Sequence, residues 1–256
     1  MKTKLIILGC GSSVGVPRID GSWGNCDKSN KKNIRTRCSA LIIKGKNTIL
    51  IDTSPDVKSQ LLKNKIKNIN SVIFTHEHAD QTNGMFELRP FFWKNHKKIN
   101  VYGEEKSMNQ IIKRQDYLFK KINNYPPIFK SNIIKKNFYL GKLNEKIFFN
   151  IIKVKHGEIK CLAYIFEKTA YISDTNDLTI SNKNELKNLN YLIIDCLKFS
   201  KHPSHFNLDE SLYIHNKLKP KKTILTNLHS DLDYNKLLNR LPKNVLPAFD
   251  GLTLSL

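Results

Sequence analysis

The chain has 256 residues, 40% of them hydrophobic, enough for one large domain or two small ones that need no disulfide or metal merely to fold. No apolar run approaches the ~18 residues of a membrane span, and residues 5–8 are too short for a signal-peptide core, so a soluble, cytoplasmic protein is expected. The formal charge of +21 comes from lysines spread along the chain in twos and threes, which favours anionic substrates without marking a nucleic-acid stripe.

Residues 4–10, 40–44 and 48–52 read as strands, rich in Ile and Leu and bounded by Gly or Asn. A helix is expected over 55–65, with Val57, Leu61 and Leu62 at helical spacing, Ser54 as N-cap and Pro55 at its first position. Residues 71–75 form a strand that stops at His76, residues 100–103 form another, and 105–119 look helical. Tyr125-Pro126-Pro127 breaks that helix, and the irregular stretch over 123–143 is a candidate lid. Residues 147–154, 161–166 and 170–173 read as a meander, the last two joined by a tight turn at 167–169. Strands at 192–195 and 223–226 flank a helix that opens on the capping box Asn207-Leu208-Asp209-Glu210 and runs to Leu218. Residues 245–256 give a last strand pattern, containing Asp250-Gly251. No short repeat or linker divides the chain, so one domain over 1–256 is expected. Its class is α/β (α+β), a four-layer αββα sandwich with helices outside two packed sheets.

The chemistry concentrates in Thr75-His76-Glu77-His78-Ala79-Asp80-Gln81, an apolar strand that ends in H-x-H-x-D. Residues two apart in extended chain point the same way, so His76 and His78 can share one metal. Asp80 can reach a second ion or hold a metal-activated water, and imidazoles with a carboxylate suit zinc or manganese. His156 closes another strand and is followed by Gly157, where a backbone can pass close to a ligand. Asp174 ends a third strand and could bridge two ions. The five cysteines form no C-x-x-C pair, which argues against a zinc ribbon and fits a reducing compartment.

The order Asp52, H-x-H-x-D, His156, Asp174 resembles that of the metallo-β-lactamase-fold hydrolases over nearly the whole chain. Leu8-Gly-Cys-Gly-Ser-Ser, Asp52-Thr-Ser-Pro-Asp, Gly84 to Arg89-Pro90 and Phe249-Asp250-Gly251 look most like the cyclic-phosphate phosphodiesterases of phosphonate breakdown. Ribonuclease Z-type enzymes are more distant, and Ser54-Pro55-Asp56-Val57 through Gln60 is similar to the pyrroloquinoline-quinone biosynthesis B-type proteins. The resemblance implies one metal site on His76, His78 and His156, with Asp174 bridging to a second site that includes Asp80. It makes Asp52 a carboxylate that orients a ligand, and His205 a donor near the scissile phosphate, with His202 its rival. The chain departs from the pattern at Gln81 and Asn227, where histidines are usual, and His229 is the candidate replacement. Only Cys26 remains of a cysteine cluster that holds structural zinc in some relatives.

The expected function is therefore metal-dependent hydrolysis of a small, cyclic phosphodiester by a metal-activated hydroxide, with one or two ions of zinc or manganese per chain. Asp80, His205 and Asp52 are the candidate catalytic residues; His76, His78, Asp80, His156, Asp174 and His229 are the candidate ligands. Arg37, Arg89 and the turn from Gly11 to Gly15 are weaker candidates for holding phosphate. Alternatives are a tRNA 3′-end ribonuclease, a thioester or lactone hydrolase, and a non-catalytic cofactor-biosynthesis accessory protein. RNA is a less favoured partner than a small anionic diester, and relatives suggest a homodimer.

Overall fold

In β1 (Thr3–Gly9) Leu5 and Ile7 point one way and Ile6 and Leu8 the other, and all four are buried. A strand that is apolar on both faces needs cover on both sides of its sheet. Leu5 and Ile7 enter a core between two sheets, whereas Ile6 and Leu8 enter a second core between sheet and helices.

The computed structural model describes residues 1–178 and 185–256. Its first seven-stranded sheet runs β14 (Leu252–Ser255), β1, β2 (Ser39–Lys44), β3 (Asn47–Ile51), β4 (Ser71–Ile73), β5 (Ile99–Gly103), β6 (Phe129–Ile133). The second, also of seven strands, runs β13 (Val245–Pro247), β12 (Lys222–Thr226), β11 (Tyr191–Asp195), β10 (Thr169–Ile172), β9 (Ile159–Phe166), β8 (Ile147–His156), β7 (Phe138–Leu140). Each sheet joins an antiparallel meander to a parallel run: β3 to β6 in one, β10 to β13 in the other. Ile49, Ile51, Phe149, Tyr164, Tyr171 and Ile193 meet between the sheets.

Val57 and Leu61 of α1 (Val57–Lys63) cover the outer face of the first sheet. The short α2 (Ala79–Thr82) and α3 (Arg89–Asn95) follow β4, and α4 (Glu105–Arg114) adds Met108 and Ile111 to the same core. On the second sheet, Leu208 of α5 (Leu208–Leu218) packs with Ile172, Leu192 and Ile194, and Leu237 of α6 (Tyr234–Leu238) joins them. The layering is thus helix, sheet, sheet, helix, as expected.

Four local expectations change. Ser54 does not cap α1; its hydroxyl donates to Gln60 Oε1 at 3.1 Å, while Pro55 and Asp56 form a turn ahead of Val57. The helix expected to 119 stops at Arg114, because Gln115 leaves helical geometry at φ −133°. The candidate lid over 123–143 contains β6 and β7, which are edge strands of the two sheets, with Phe129 and Leu140 buried. The final strand pattern is two strands in different sheets, β13 and β14. They are joined through Asp250, which accepts from Cys10 N at 3.2 Å and Thr36 N at 2.8 Å. The expected turn at Glu167-Lys168 is present with φ of 46° and 56°, the type I′ geometry that suits a hairpin.

Candidate metal centre

Loops at the carboxyl ends of the parallel strands carry the chemistry, the usual place in open α/β sheets. His76 follows β4, Asp52 follows β3, Asp174 follows β10 and Asn227 follows β12, while His156 and Asp195 are last residues of β8 and β11. Asp52 and Asn227 leave their strands with φ of 59° and 62°, a left-handed turn that Asn and Asp accept better than other side chains.

A chain of hydrogen bonds orients His76. Asp52, fully buried, accepts from Thr75 N and Thr75 Oγ1, each at 2.8 Å. Since that hydroxyl donates to Asp52, it accepts from His76 Nδ1, 3.0 Å away. The proton is then on Nδ1, and Nε2 is left with a free lone pair. That Nε2 is buried with no partner among the described residues. His156 is fixed the same way, with Nδ1 donating to Ser204 O at 2.7 Å, and its Nε2 lies 3.3 Å from His78 Nδ1. The ligand atoms of His76, His78 and His156 all lie within 4.8 Å of one another.

This set fits a divalent ion. Tetrahedral zinc with nitrogens at ~2.0–2.1 Å holds them ~3.3–3.4 Å apart, which the His78–His156 pair matches at 3.3 Å. Burial pulls His76 down to about 3 and lowers His78 and His156 too, so all three are neutral imidazoles, the form a metal requires. Their neutrality and the orphaned Nε2 both call for a cation at that point.

Asp174 lies beside this cluster and forms a second group with His156 and His205, again within 4.8 Å. Burial alone would raise Asp174, but His76, His205 and His156 together hold it below the ordinary carboxylate value. Burial and the neighbouring Asp174 raise Asp80. His205 Nδ1 donates to Asp195 Oδ2 at 2.7 Å, and that oxygen also accepts Thr175 N at 2.9 Å. Burial works against the charged form of His205, yet the charge and hydrogen bond of Asp195 raise it to about 9. Asp195 itself is lifted by burial to about 7, against the pull of His205.

A cavity of about 390 Å³ opens on these groups, lined among others by Ser12, Arg18, Asp80, Lys198, His202 and His205. A larger one, about 680 Å³, lies among Asn70, Asn100 and Tyr139 and contains none of the ligand residues; volume does not mark the site here, chemistry does.

The structure thus brings together His76, His78, Asp80, His156, Asp174 and His205, with Asp52 reaching His76 through Thr75. His229 is not among the ligand groups. Its Nε2 faces Arg18 Nη2 at 2.6 Å and its Nδ1 faces Asp231 Oδ2 at 3.2 Å, because Arg35 pins the surrounding loop through His229 O and Leu232 O. Arg37 is paired with Asp56 at 2.7 Å, and Arg89 stacks on Phe86 with its guanidinium 4.1 Å from the ring centre, so neither faces the cavity. In the glycine turn the amides of Gly11, Ser12 and Gly15 already bond to Thr36, Leu228 and Ser12 carbonyls, which removes most of the expected anion nest. Gly157, with φ 57°, makes the β8–β9 hairpin turn and is not an approach to a ligand.

Sequence reasoning missed Asp195, although it ends an apolar strand as Asp52 and Asp174 nearly do. It also missed Thr75, the Ser204 carbonyl and Arg18, whose roles depend on contacts between distant segments.

Fold and site together define a metal-dependent hydrolase with two packed mixed sheets. The chain belongs to the β-lactamase superfamily, whose domain family matches residues 47–227. It is 32% identical over 258 residues to an octanoyltransferase of Porphyromonas gingivalis, covering 97% of this chain and 51% of that protein. The chain therefore spans about half the length of that curated relative. Among solved structures it is similar to a diphosphatase of the PhnP family, with TM-score 0.90, 29% identity and coverage of 99% of this chain and 98% of that one. It is also similar in fold to zinc-bound PqqB of Methylobacterium extorquens, with TM-score 0.78, 16% identity and coverage of 99% and 100%. No helix among the described residues is long and apolar enough to cross a membrane.

Proposed function

We propose that the chain, as one domain over residues 1–256, hydrolyses a small anionic phosphodiester, cyclic diesters included, with zinc or manganese held by His76, His78, His156 and Asp174. The observation that carries this reading is the position of His205, at the edge of the metal centre and on the wall of the cavity, with Nδ1 2.7 Å from buried Asp195 Oδ2. A divalent ion there supplies a Lewis acid and makes a water acidic near neutral pH.

The chain's own groups do the rest. Asp80 faces the same cavity, and its raised affinity for protons suits it to take one from the attacking water. As that water's oxygen bonds to phosphorus and the opposite P–O bond breaks, His205 donates its Nε2 proton to the leaving oxygen. Asp195 steadies the imidazolium beforehand and fixes the ring through Nδ1. Arg18 and Lys198, both on the cavity wall, offset the negative charge of the diester.

The test is hydrolysis by the zinc- or manganese-loaded chain of bis(p-nitrophenyl) phosphate and of a 2′,3′-cyclic nucleotide, beside an S-octanoyl thioester and a tRNA with a 3′ extension. Diester turnover is expected, with His205→Ala losing about 10²–10⁴-fold on the alkoxide leaving group and much less on nitrophenolate, which needs no acid. A second reading, thioester hydrolysis, is favoured by the name of the Porphyromonas gingivalis relative, although that name belongs to a protein about twice as long. Turnover of the thioester without turnover of either diester would refute the phosphodiesterase reading.

A further inference from the structure

One amide nitrogen lies where two carboxylates face each other. Gln81 is almost fully buried, and its Nε2 lies 3.4 Å from Asp80 Oδ2 and 3.4 Å from Asp174 Oδ2. On the other oxygen of Asp174, Asn227 Nδ2 donates at 3.3 Å and also reaches Ser173 O at 3.2 Å. Asp174 thus receives amide hydrogens on both oxygens. Two carboxylates this close need a positive partner between them. A shared divalent ion is one solution, and an amide nitrogen with its two donors is another. The two solutions exclude each other, because a carboxamide nitrogen offers no lone pair to a metal and its hydrogens repel a cation. Of the imidazoles that could displace the amides, His229 is held off by Arg18 and Asp231, and His205, whose Nδ1 lies 3.1 Å from Asn227 Nδ2, is tied through that nitrogen to Asp195.

We infer that the chain holds a single divalent ion, on His76, His78, His156 and Asp174, and that the Gln81 and Asn227 amides take the place of a second. The inference rests on the hydrolase reading above and says what kind of centre performs it. With Nε2 between Asp80 and Asp174, the Gln81 oxygen faces two acceptors, Cys38 O and Asp52 Oδ2. Turned end for end, the amide would donate to both at 3.3 Å, an orientation better satisfied by the protein alone, and set its oxygen between Asp80 and Asp174. Three oxygens facing one another would require a cation, so that orientation belongs to a two-ion centre. Donation from Asn227 to Asp174 is independent of how Gln81 lies, and it favours the single ion.

Elemental analysis and calorimetric titration of the full chain with zinc, then with manganese, read ions per chain apart from any activity. One ion is expected in the natural chain, one in Asp80→Asn, and none at the centre in a His76→Ala, His156→Ala variant. The Gln81→His, Asn227→His variant is expected to gain a second equivalent. Two ions in the natural chain, the second lost in Asp80→Asn, would overturn the inference while leaving hydrolysis intact. A second equivalent that persists in both Asp80→Asn and the double-alanine variant lies outside the centre and leaves one ion at it. If the double-histidine variant folds, judged by circular dichroism, yet still binds one ion, the two amides are not what excludes the second. Absence of any bound ion together with absence of hydrolysis would instead sink the hydrolase reading itself.

Discussion

Replacing Asp195 by Asn tests whether His205 acts as the acid. The amide keeps an oxygen for Thr175 N, which lies 2.9 Å from Asp195 Oδ2, so the loop stays supported. What disappears is the anion that raises His205 to about 9. Without it, burial is the largest remaining influence, and the imidazole falls to or below its ordinary value of 6.5. At pH 8 a group of pKa 9 is about 90% protonated, and one of 6.5 about 3%, which predicts a loss of about 30-fold in kcat for Asp195→Asn. At pH 6 the same two values leave the imidazole mostly protonated in both proteins, and the difference shrinks to less than about twofold. The assay is a profile of kcat for a cyclic diester from about pH 5.5 to about pH 10. The basic limb should move down by about two and a half units in the variant. A loss of equal size at all pH values, or a basic limb that stays where it was, would refute the role given to the Asp195–His205 pair.

Thr75→Val removes the hydroxyl between Asp52 and His76 while preserving shape. Zinc affinity is expected to fall about 10–100-fold, read by competition with a chromogenic chelator, and an unchanged affinity would show that the relay does not orient His76. Tyr164→Phe deletes the hydroxyl that donates to Phe74 O at 2.6 Å in the core; it should cost about 1–3 kcal/mol in urea denaturation, since the carbonyl is left buried without its donor. Asp233 is shifted in the opposite direction from Asp80 and Asp195. Burial would raise it, but hydrogen bonds from Lys236 N, Asp27 N and Asn33 Nδ2 hold it below its ordinary value. Its folded value is therefore the lower one, so its contribution is present above about pH 4 and is lost as the pH falls through that lower value. Thermal melts of Asp233→Asn should show a shallower acid limb than the natural chain, and identical limbs would contradict the assignment.

How much of this was legible in the sequence depends on the range of the interaction. The unbroken apolar run in residues 5–8 and the apolar strands that stop at His76 and near Asp174 are local signals, because an extended segment of Ile and Leu must be covered on both faces. The H-x-H-x-D spacing is equally local, and it put His76 and His78 on one side of one turn. The capping box at Asn207 and Glu210 was readable for the same reason and is present, with Glu210 N donating to Asn207 Oδ1 at 2.9 Å. The edge strands over 129–140 were not readable, because their lysines and asparagines give little alternation and pairing with β5 and β8 is what orders them.

Residue types and their order along the chain determined that this protein would be a two-sheet sandwich with a cluster of imidazoles at a strand end. They could not decide which way His229 turns. Arg35 and Arg18 lie far away in sequence, and only folding brings their guanidiniums against that loop. They could not single out Asp195 either, since one buried carboxylate at a strand end resembles another until His205 is found 2.7 Å from it. A metal ligand is defined by what its free atom faces, and that is settled by contacts across the two sheets. The amides of Gln81 and Asn227 read as defects in a motif, whereas folding sets both against Asp174, with Asn227 donating to it at 3.3 Å.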